Sequence, residues 1–329
     1  MSQPSHRPGR LGVGVISAGR VGAVLGAALR GAGHAVVGVH ASSEASRERA
    51  ATLLPDVPVL DVQSIVERSE LVLLAVPDDQ LPGLVSGLAA TGAWQPGQLV
   101  VHTAGRHGTG VLEPVRAAGG IGLAVHPAMT FTGLSLDLQR LADCSFAVTA
   151  AAPVLPIAQA LVVEMGAEPV VVAEADRPLY HAALAHGSNH VMTVLGESMQ
   201  LLGEIGVEHP DRVLGPLVRA TVDNALASGE NALTGPVARG DVTTVAAHVA
   251  ALRELAGGGA RAGHDAAGPV GSADHDAAGP TGNADHDAAR QLLAGYRALA
   301  RQTARRAAAS GRLDETSYRA VMAAIEEEQ

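Results

Sequence analysis

Three stretches of this chain are apolar over most of their length: LVLLAVP (Leu71–Pro77), LVVHTAG (Leu99–Gly105) and IGLAVHP (Ile121–Pro127). A strand with one wet face alternates apolar and polar residues. A strand covered on both faces does not need to. These runs therefore predict parallel strands sandwiched between helices, and little else a chain can fold into fits them. LGVGVI (Leu11–Ile16) and HAVVGVH (His34–His40) extend the pattern, as do SFAVTA (Ser145–Ala150) and PVVVAE (Pro169–Glu174). Residues Arg20–Arg30, Glu44–Leu54 and Pro153–Met165 have helical character and supply crossovers. Right-handed crossovers put the strand carboxyl ends on one edge, where such sheets bind ligands. The ends of LLAVPDD, VVHTAG and LAVHPAM are expected to share that edge.

Beyond about Ala173 the strand signal stops. The sequence predicts an α/β domain over 1–174 and an all-helical domain over 175–329. Asp176-Arg177-Pro178 suits a helix start, with an early proline. That helix runs to about Leu202, and others are expected over Arg212–Ala227, Val242–Leu255, Ala288–Ser310 and Glu315–Glu328. The first carries few charges on any face, so something must cover it. A second subunit would do so, giving a homodimer through the helical domain; neighbouring helices of the same chain are the other solution. Between them, residues 257–289 repeat GHDAAGPVGSA-DHDAAGPTGNA-DHDAA. This composition cannot bury a core and reads as a low-complexity insertion. Its His264, His275 and His286 have no scaffold to gather them, so no metal site is expected there.

Composition narrows the function classes. The 329 residues are 47% hydrophobic, 17% charged and 2% aromatic, with a formal net charge of −10. The basic patch a nucleic-acid partner needs is missing. Cys144 is the single cysteine, which excludes an intrachain disulfide. The polar start MSQPSHRPGR is unlike a secretory leader, and no run has the length of a membrane span. A cytoplasmic protein is the expectation.

GVISAGRVGAVLGAAL (Gly14–Leu29) nearly spells a dinucleotide loop. In such loops one glycine makes the turn, a second lets backbone approach the pyrophosphate, and a third lets helix pack on strand. Gly19 and Gly22 hold the second and third places; Ser17 holds the first. Serine preserves the turn if its backbone is not left-handed. The free N–H groups at the start of the helix would then face the pyrophosphate, Ser17, Ala18, Gly19, Arg20, Val21 and Gly22 would form the cofactor loop, and Arg20 could add a contact. The next strand ends in Val39-His40, without the acid that binds a ribose diol. Ser42, Ser43 and Arg47 follow, which favours NADP over NAD; Glu44 argues the other way. Val76-Pro77 begins a loop expected beside the cofactor.

Chemistry is expected at the histidines. An imidazole passes protons near neutral pH, and a reduced carbonyl needs one. His126, ending IGLAVHP, is the first candidate; fixing a loop by hydrogen bonding is its other possible role. His181, His186, Ser188, Asn189 and His190 interrupt an apolar helix, with His186, Asn189 and His190 near one face. Their polar groups need partners or a wet cleft. His186 and His190 lack a third zinc ligand, so no metal is expected. Thr234–Asp241, TGPVARGD, leads into a helix capped by Asp241, and its Arg239 could hold a substrate carboxylate or the segment could simply turn the chain.

SAGRVG, LLAVPDD, VVHTAG, HPAMTF, YHAALAHGSNH and ALTGPVARGD together resemble the Rossmann-like/DUF2520 proteins, over nearly the whole chain except the repeat. That family looks related to ketopantoate reductase, pyrroline-5-carboxylate reductase and prephenate dehydrogenase. The resemblance implies a Rossmann-like parallel-sheet domain followed by a helical, often dimerising domain. It implies that His126-Pro127 matches a histidine that assists hydride transfer in prephenate dehydrogenases, with Ala128 departing from the pattern. Asn189 could match an asparagine of ketopantoate reductase, but no lysine precedes it and His186 is the nearest ionisable group. The sequence thus predicts an NADP-dependent oxidoreductase for a small carboxylated carbonyl or imine, in the manner of 2-dehydropantoate reductase, with His126, His186 and Asn189 at the reacting centre. A non-catalytic NADP-binding regulatory or scaffolding protein is the alternative.

Overall fold

The computed structural model describes residues 10–257 and 281–327, with side chains from 287 onward in the second stretch. Two compact units divide the described chain, 1–191 and 192–329, so the start of the long helix goes with the sheet, later than the boundary expected at 174.

The first unit is built on seven strands: β1 (Gly12–Ile16), β2 (Ala35–His40), β3 (Leu71–Leu74), β4 (Leu99–His102), β5 (Ile121–Pro127), β6 (Ser145–Thr149) and β7 (Glu168–Val171). Their order is β2-β1-β3-β4-β5-β6-β7. All neighbours pair in parallel except β5 and β6, which are antiparallel. The uninterrupted apolar runs behave as expected: every residue of β3 and of β4 is buried. The helices are α1 (Arg20–Gly31), α2 (Glu44–Leu53), α3 (Val62–Arg68), α4 (Leu81–Ala90), α5 (Glu113–Ala117), α6 (Leu136–Arg140), α7 (Leu155–Glu164) and α8 (Arg177–Glu204). One face of the sheet packs α1, α2 and α7 through Val24, Leu25, Leu53 and Leu161. The other packs α3 and α4 through Ile65, Val66, Leu81 and Val85, with Trp94 and Leu112. The chain leaves β1 towards β2 in one direction, while β3 lies on its other side. That switch opens a crevice beyond the carboxyl ends of β1, β2 and β3.

The second unit holds the rest of α8, then α9 (Pro210–Ser228), α10 (Pro236–Arg239), α11 (Val242–Ala256), α12 (Thr281–Ala309) and α13 (Glu315–Glu326). Its core is small and alanine-rich: Val245, Ala304, Ala307, Val321 and Ile325 join α11, α12 and α13. Asp241 caps α11 by accepting the Thr244 N–H, and Asp314 caps α13 by accepting that of Ser317. Such caps contribute about 1 kcal/mol each. By contrast α9 buries no residue, and α8 buries only Arg177. Of these, α8 was expected to be covered; among the described residues it is only partly so, with Tyr180, His181, Leu184 and Ala185 half-buried.

The repeat needs a boundary correction. Residues 281–289, read as insertion, begin α12 instead. His264 and His275 lie outside the described residues, as does the side chain of His286.

Candidate active site

The glycine loop sits at the crevice. Gly19 caps α1 with no side-chain hydrogen bond, which leaves the first-turn N–H groups to an external acceptor. A Cβ on Gly19 would have only Ser17 Oγ within 4 Å, at 3.5 Å. A Cβ on Gly22 would lie 2.1 Å from the Ser17 carbonyl oxygen and 2.9 Å from Ala75 Cβ. Gly19 is therefore bare towards open space, and Gly22 is bare because helix and strand touch there. This is the cradle a dinucleotide pyrophosphate fits. Ser17 requires a correction: its φ is +77°, in the left-handed region that the sequence reading excluded. The first position demands glycine-like geometry, and serine meets it at a cost of roughly 1–3 kcal/mol.

An open cleft of about 500 Å³ continues from this loop, lined by Ser17, His40, Ser42, Val76, Pro77 and Gln80 among others. Ser43, expected to face a ribose phosphate, is occupied otherwise: it caps α2 in a reciprocal pair with Ser46. Arg47 is held by Glu44 at 2.8 Å. Sequence reasoning passed over Arg49. Its Nη1 donates to the Ala18 carbonyl at 3.1 Å, and its Nε would lie 2.6 Å from a Cβ on Gly133, a position also 3.2 Å from Arg20 Cγ. The Arg49 guanidinium thus lies against the loop, and the Arg20 side chain passes the same Gly133 turn. The Gly133 turn is fixed from behind by buried Asp137, which accepts N–H bonds from Thr132 and Gly133. Burial opposes the charge on Asp137, but these bonds outweigh it and hold its carboxyl below the usual range.

The second focus lies at the ends of β4 and β5. His102 is fully buried; its Nε2–H donates to the Gly108 carbonyl at 2.9 Å, and its Nδ1 accepts the Ala104 N–H. Burial pushes its pKa down to about 4, so it is a neutral strut for the 103–108 loop. His126 ends β5 half-buried, with Nδ1 2.9 Å from the Tyr180 hydroxyl on α8. Burial, then Arg177, His181 and His102, lower its pKa to about 4. The His181 ring lies edge-on, 6.1 Å away between centroids. Gly105 makes room for both: a Cβ there would meet His181 Cδ2 at 2.5 Å and His126 Nε2 at 3.0 Å.

Arg177 lies beneath this group, fully buried. Its Nε donates to Thr149 Oγ1 at 2.8 Å and one Nη to the carbonyls of Ala124 and Ala147. The other Nη has no hydrogen-bond partner among the described residues. Its guanidinium stands 5.9 Å from the centre of the Tyr180 ring. The sequence marked Arg177 only as part of a helix start.

An open cleft of about 560 Å³, counting space continuous with solvent, adjoins His126. Thr130, His181, Leu184, Ser188 and Asn189 also line it. Asn189 thus lines the same cleft as His126. His186 does not line the cleft; it pairs with His190, Nδ1 to Nδ1 at 2.9 Å, on exposed helix surface. His181 takes the place expected of His186. Arg239 ends α10 in the second unit, exposed, 3.5 Å from Thr234 Oγ1. Among the described residues no group of three or more His, Cys, Asp or Glu could hold a metal, and no helix is long and apolar enough to cross a membrane.

With this geometry in view, two family models match the chain, with boundaries different from those of the two compact units. Residues 1–127 match the Rossmann-like domain model, and residues 144–261 match the domain of unknown function DUF2520. No curated protein matches the chain. Among solved structures it is similar to a candidate NADP oxidoreductase from Bacteroides fragilis, at 21% identity and TM-score 0.63, over 74% of this chain and 92% of that one. A Thermotoga maritima protein matches at 19% and 0.57, over 74% and 91%. The pyrroline carboxylate reductase of Plasmodium falciparum, solved with NADP bound, matches at 13% and 0.50, over 69% and 86%. At these identities the likeness is one of fold.

Proposed function

We propose that this Rossmann-like/DUF2520 protein is an NADP-dependent oxidoreductase acting on a small carboxylated carbonyl or imine. The observation that carries the reading is the β1–α1 loop: a first helical turn with free N–H groups, open space at Gly19 and backbone contact at Gly22. The Bacteroides fragilis and Plasmodium falciparum proteins, both described with NADP, support the cofactor class. Ser17 to Gly22 would hold the pyrophosphate, with Arg20 and Arg49 as its cationic flank. His40, Ser42, Val76 and Pro77 would line the adenosine side. The absence of an acid at the end of β2 favours NADP over NAD, and Arg47 reaches a 2′-phosphate only by leaving Glu44. When bound, the cofactor supplies a hydride.

The chain's own residues would do the rest. The cleft beside His126 excludes bulk water from one side of a small substrate. His126, neutral at physiological pH, donates or accepts a hydrogen bond at the reacting oxygen or nitrogen, as oxyanion-stabilising groups do. Asn189 and Ser188 orient the substrate. His186 is retained in the scheme only as a control position. The exposed apolar side chains of α8 and α9, Leu179, Met192, Leu217 and Leu226 among them, favour a second copy of the chain as their cover.

The test is NADPH oxidation against ketopantoate, pyrroline-5-carboxylate and a panel of 2-oxo acids, with His126→Ala and His186→Ala beside the wild type. Turnover abolished by the first substitution and spared by the second supports the assignment. NADPH binding with no turnover on any substrate favours a non-catalytic nucleotide-binding role.

A further inference from the structure

The hydrogen bond between His126 Nδ1 and the Tyr180 hydroxyl can be drawn in two directions. If Nδ1 carried the proton, it would donate to the phenol oxygen, and the phenol's own proton would need an acceptor. Among the described residues the hydroxyl has no other partner. If the phenol donates instead, its proton has an acceptor in Nδ1, and the imidazole proton sits on Nε2, whose acceptor would come from the cleft. The surroundings favour the second arrangement. Burial, only partly offset by the Arg177 guanidinium 5.9 Å from the ring, keeps the proton on the Tyr180 phenol and so leaves it able to donate. The same guanidinium, with His181 and His102, disfavours a second proton on His126. Glu174 adds its charge to neither group by contact. Its carboxylate is engaged by the N–H groups of Thr109 and Gly110.

A Cβ on Gly105 would lie 3.0 Å from Nε2 and 2.5 Å from His181 Cδ2, so only a bare glycine lets the ring sit in this orientation, in which His126 lines the cleft. We infer that Tyr180 is a positioning residue that holds His126 as a neutral donor with its Nε2–H presented to the cleft, and that the group bound there is therefore a hydrogen-bond acceptor: a carbonyl oxygen of a 2-oxo acid rather than a protonated imine. A protonated imine brings an N–H where another N–H already stands, beside a buried guanidinium that no carboxylate contacts among the described residues, Glu174 acting on it only at longer range. Both features raise the cost of binding it. The inference deepens the proposed function, since it chooses between the two substrate classes that reading admits.

The test uses the full chain with 15N-labelled histidine and needs no turnover. His126 is assigned by its loss in His126→Asn, and the two ring nitrogens are read by their couplings to the ring protons. The wild type is expected to show Nδ1 unprotonated and Nε2 protonated at pH 7. Tyr180→Phe keeps the ring packing, and the fixed tautomer should give way to a mixture. Adding 2-oxopentanoate should displace the Nε2 resonance in the wild type, and 1-pyrroline-2-carboxylate should displace it less. A proton on Nδ1 in the wild type overturns the inference, whether or not Tyr180→Phe folds. So does an unchanged tautomer in a folded Tyr180→Phe, no displacement by the 2-oxo acid, or equal displacement by the imine. Failure of the cofactor reading would appear separately, as no NADPH binding by a protein whose His126 tautomer is as described.

Discussion

Gly22→Ala tests the logic of the glycine loop most sharply. The added carbon would lie 2.1 Å from the Ser17 carbonyl oxygen. A carbon–oxygen contact relaxes at about 3.3 Å. The carbonyl, which cannot rotate away like a side chain, would have to retreat by about 1 Å. Overpacking of this kind costs about 1–3 kcal/mol. In a unit of this size that lowers the melting temperature by about 3–9 °C. The displaced loop also carries the N–H groups proposed for the pyrophosphate, so NADPH affinity should fall at least tenfold, or about 1.4 kcal/mol. Gly19→Ala is the matched control. Its φ of −68° suits alanine, and its Cβ meets only a side-chain oxygen at 3.5 Å. Stability should therefore change by under about 1 kcal/mol, while NADPH affinity falls because the new methyl occupies the pyrophosphate's approach. Thermal melts and NADPH fluorescence titrations of both variants separate the two effects. A Gly22→Ala protein that melts and binds as the wild type does would refute the packing argument. A Gly19→Ala protein with full affinity would refute the placement of the phosphate.

Four further predictions follow from the structure. Ser17→Gly removes a left-handed serine and should stabilise the chain by about 1 kcal/mol; an unchanged or lower melting temperature would contradict the strain. Glu44→Gln frees Arg47 from an exposed ion pair, and NADPH should bind roughly threefold tighter with NADH little changed, a shift of under about 1 kcal/mol; parallel changes in both would place Arg47 away from the 2′-phosphate. His102 has a folded pKa of about 4, below the ordinary value, so below about pH 6.5 the unfolded chain takes up a proton that the folded one refuses. Stability should drain away as pH falls from about 6.5 to 4, by about 3 kcal/mol from this residue, and urea midpoints at pH 7 and pH 5 should differ less in His102→Gln than in wild type. Leu217→Glu combined with Leu226→Glu should convert a dimer to a monomer in light scattering; a wild type that is already monomeric would remove the second copy from the account.

Much of the fold is legible in the residues because burial leaves a mark there. The uninterrupted runs at Leu71 and Leu99 allow only strands covered on both sides, and both are so covered. The short helix Val62–Arg68 is hard to see, since seven residues give too little periodicity. The loop glycines are readable from their spacing; the left-handed Ser17 is not, because serine has no inherent reason to adopt that geometry. The helix of histidines shows the same limit. His181, Leu184, Ala185 and Ser188 recur at i, i+3, i+4 and i+7 and line the cleft together, while His186 lies off that stripe. With apolar residues all round α8, the sequence does not say which stripe faces the sheet. Tyr180 and Arg177 matter through partners 54 and 53 residues away, His126 and the Ala124 carbonyl, and only the folded sheet brings them together.

The central claim is that the crevice at Ser17 to Gly22 takes NADP. Isothermal titration of the full chain with NADPH and with NADH tests it directly. The account predicts saturable binding of both, with NADPH the tighter, and loss of that binding in Gly22→Ala. NADH binding at least as tight as NADPH, or no binding of either to a folded protein, would contradict it.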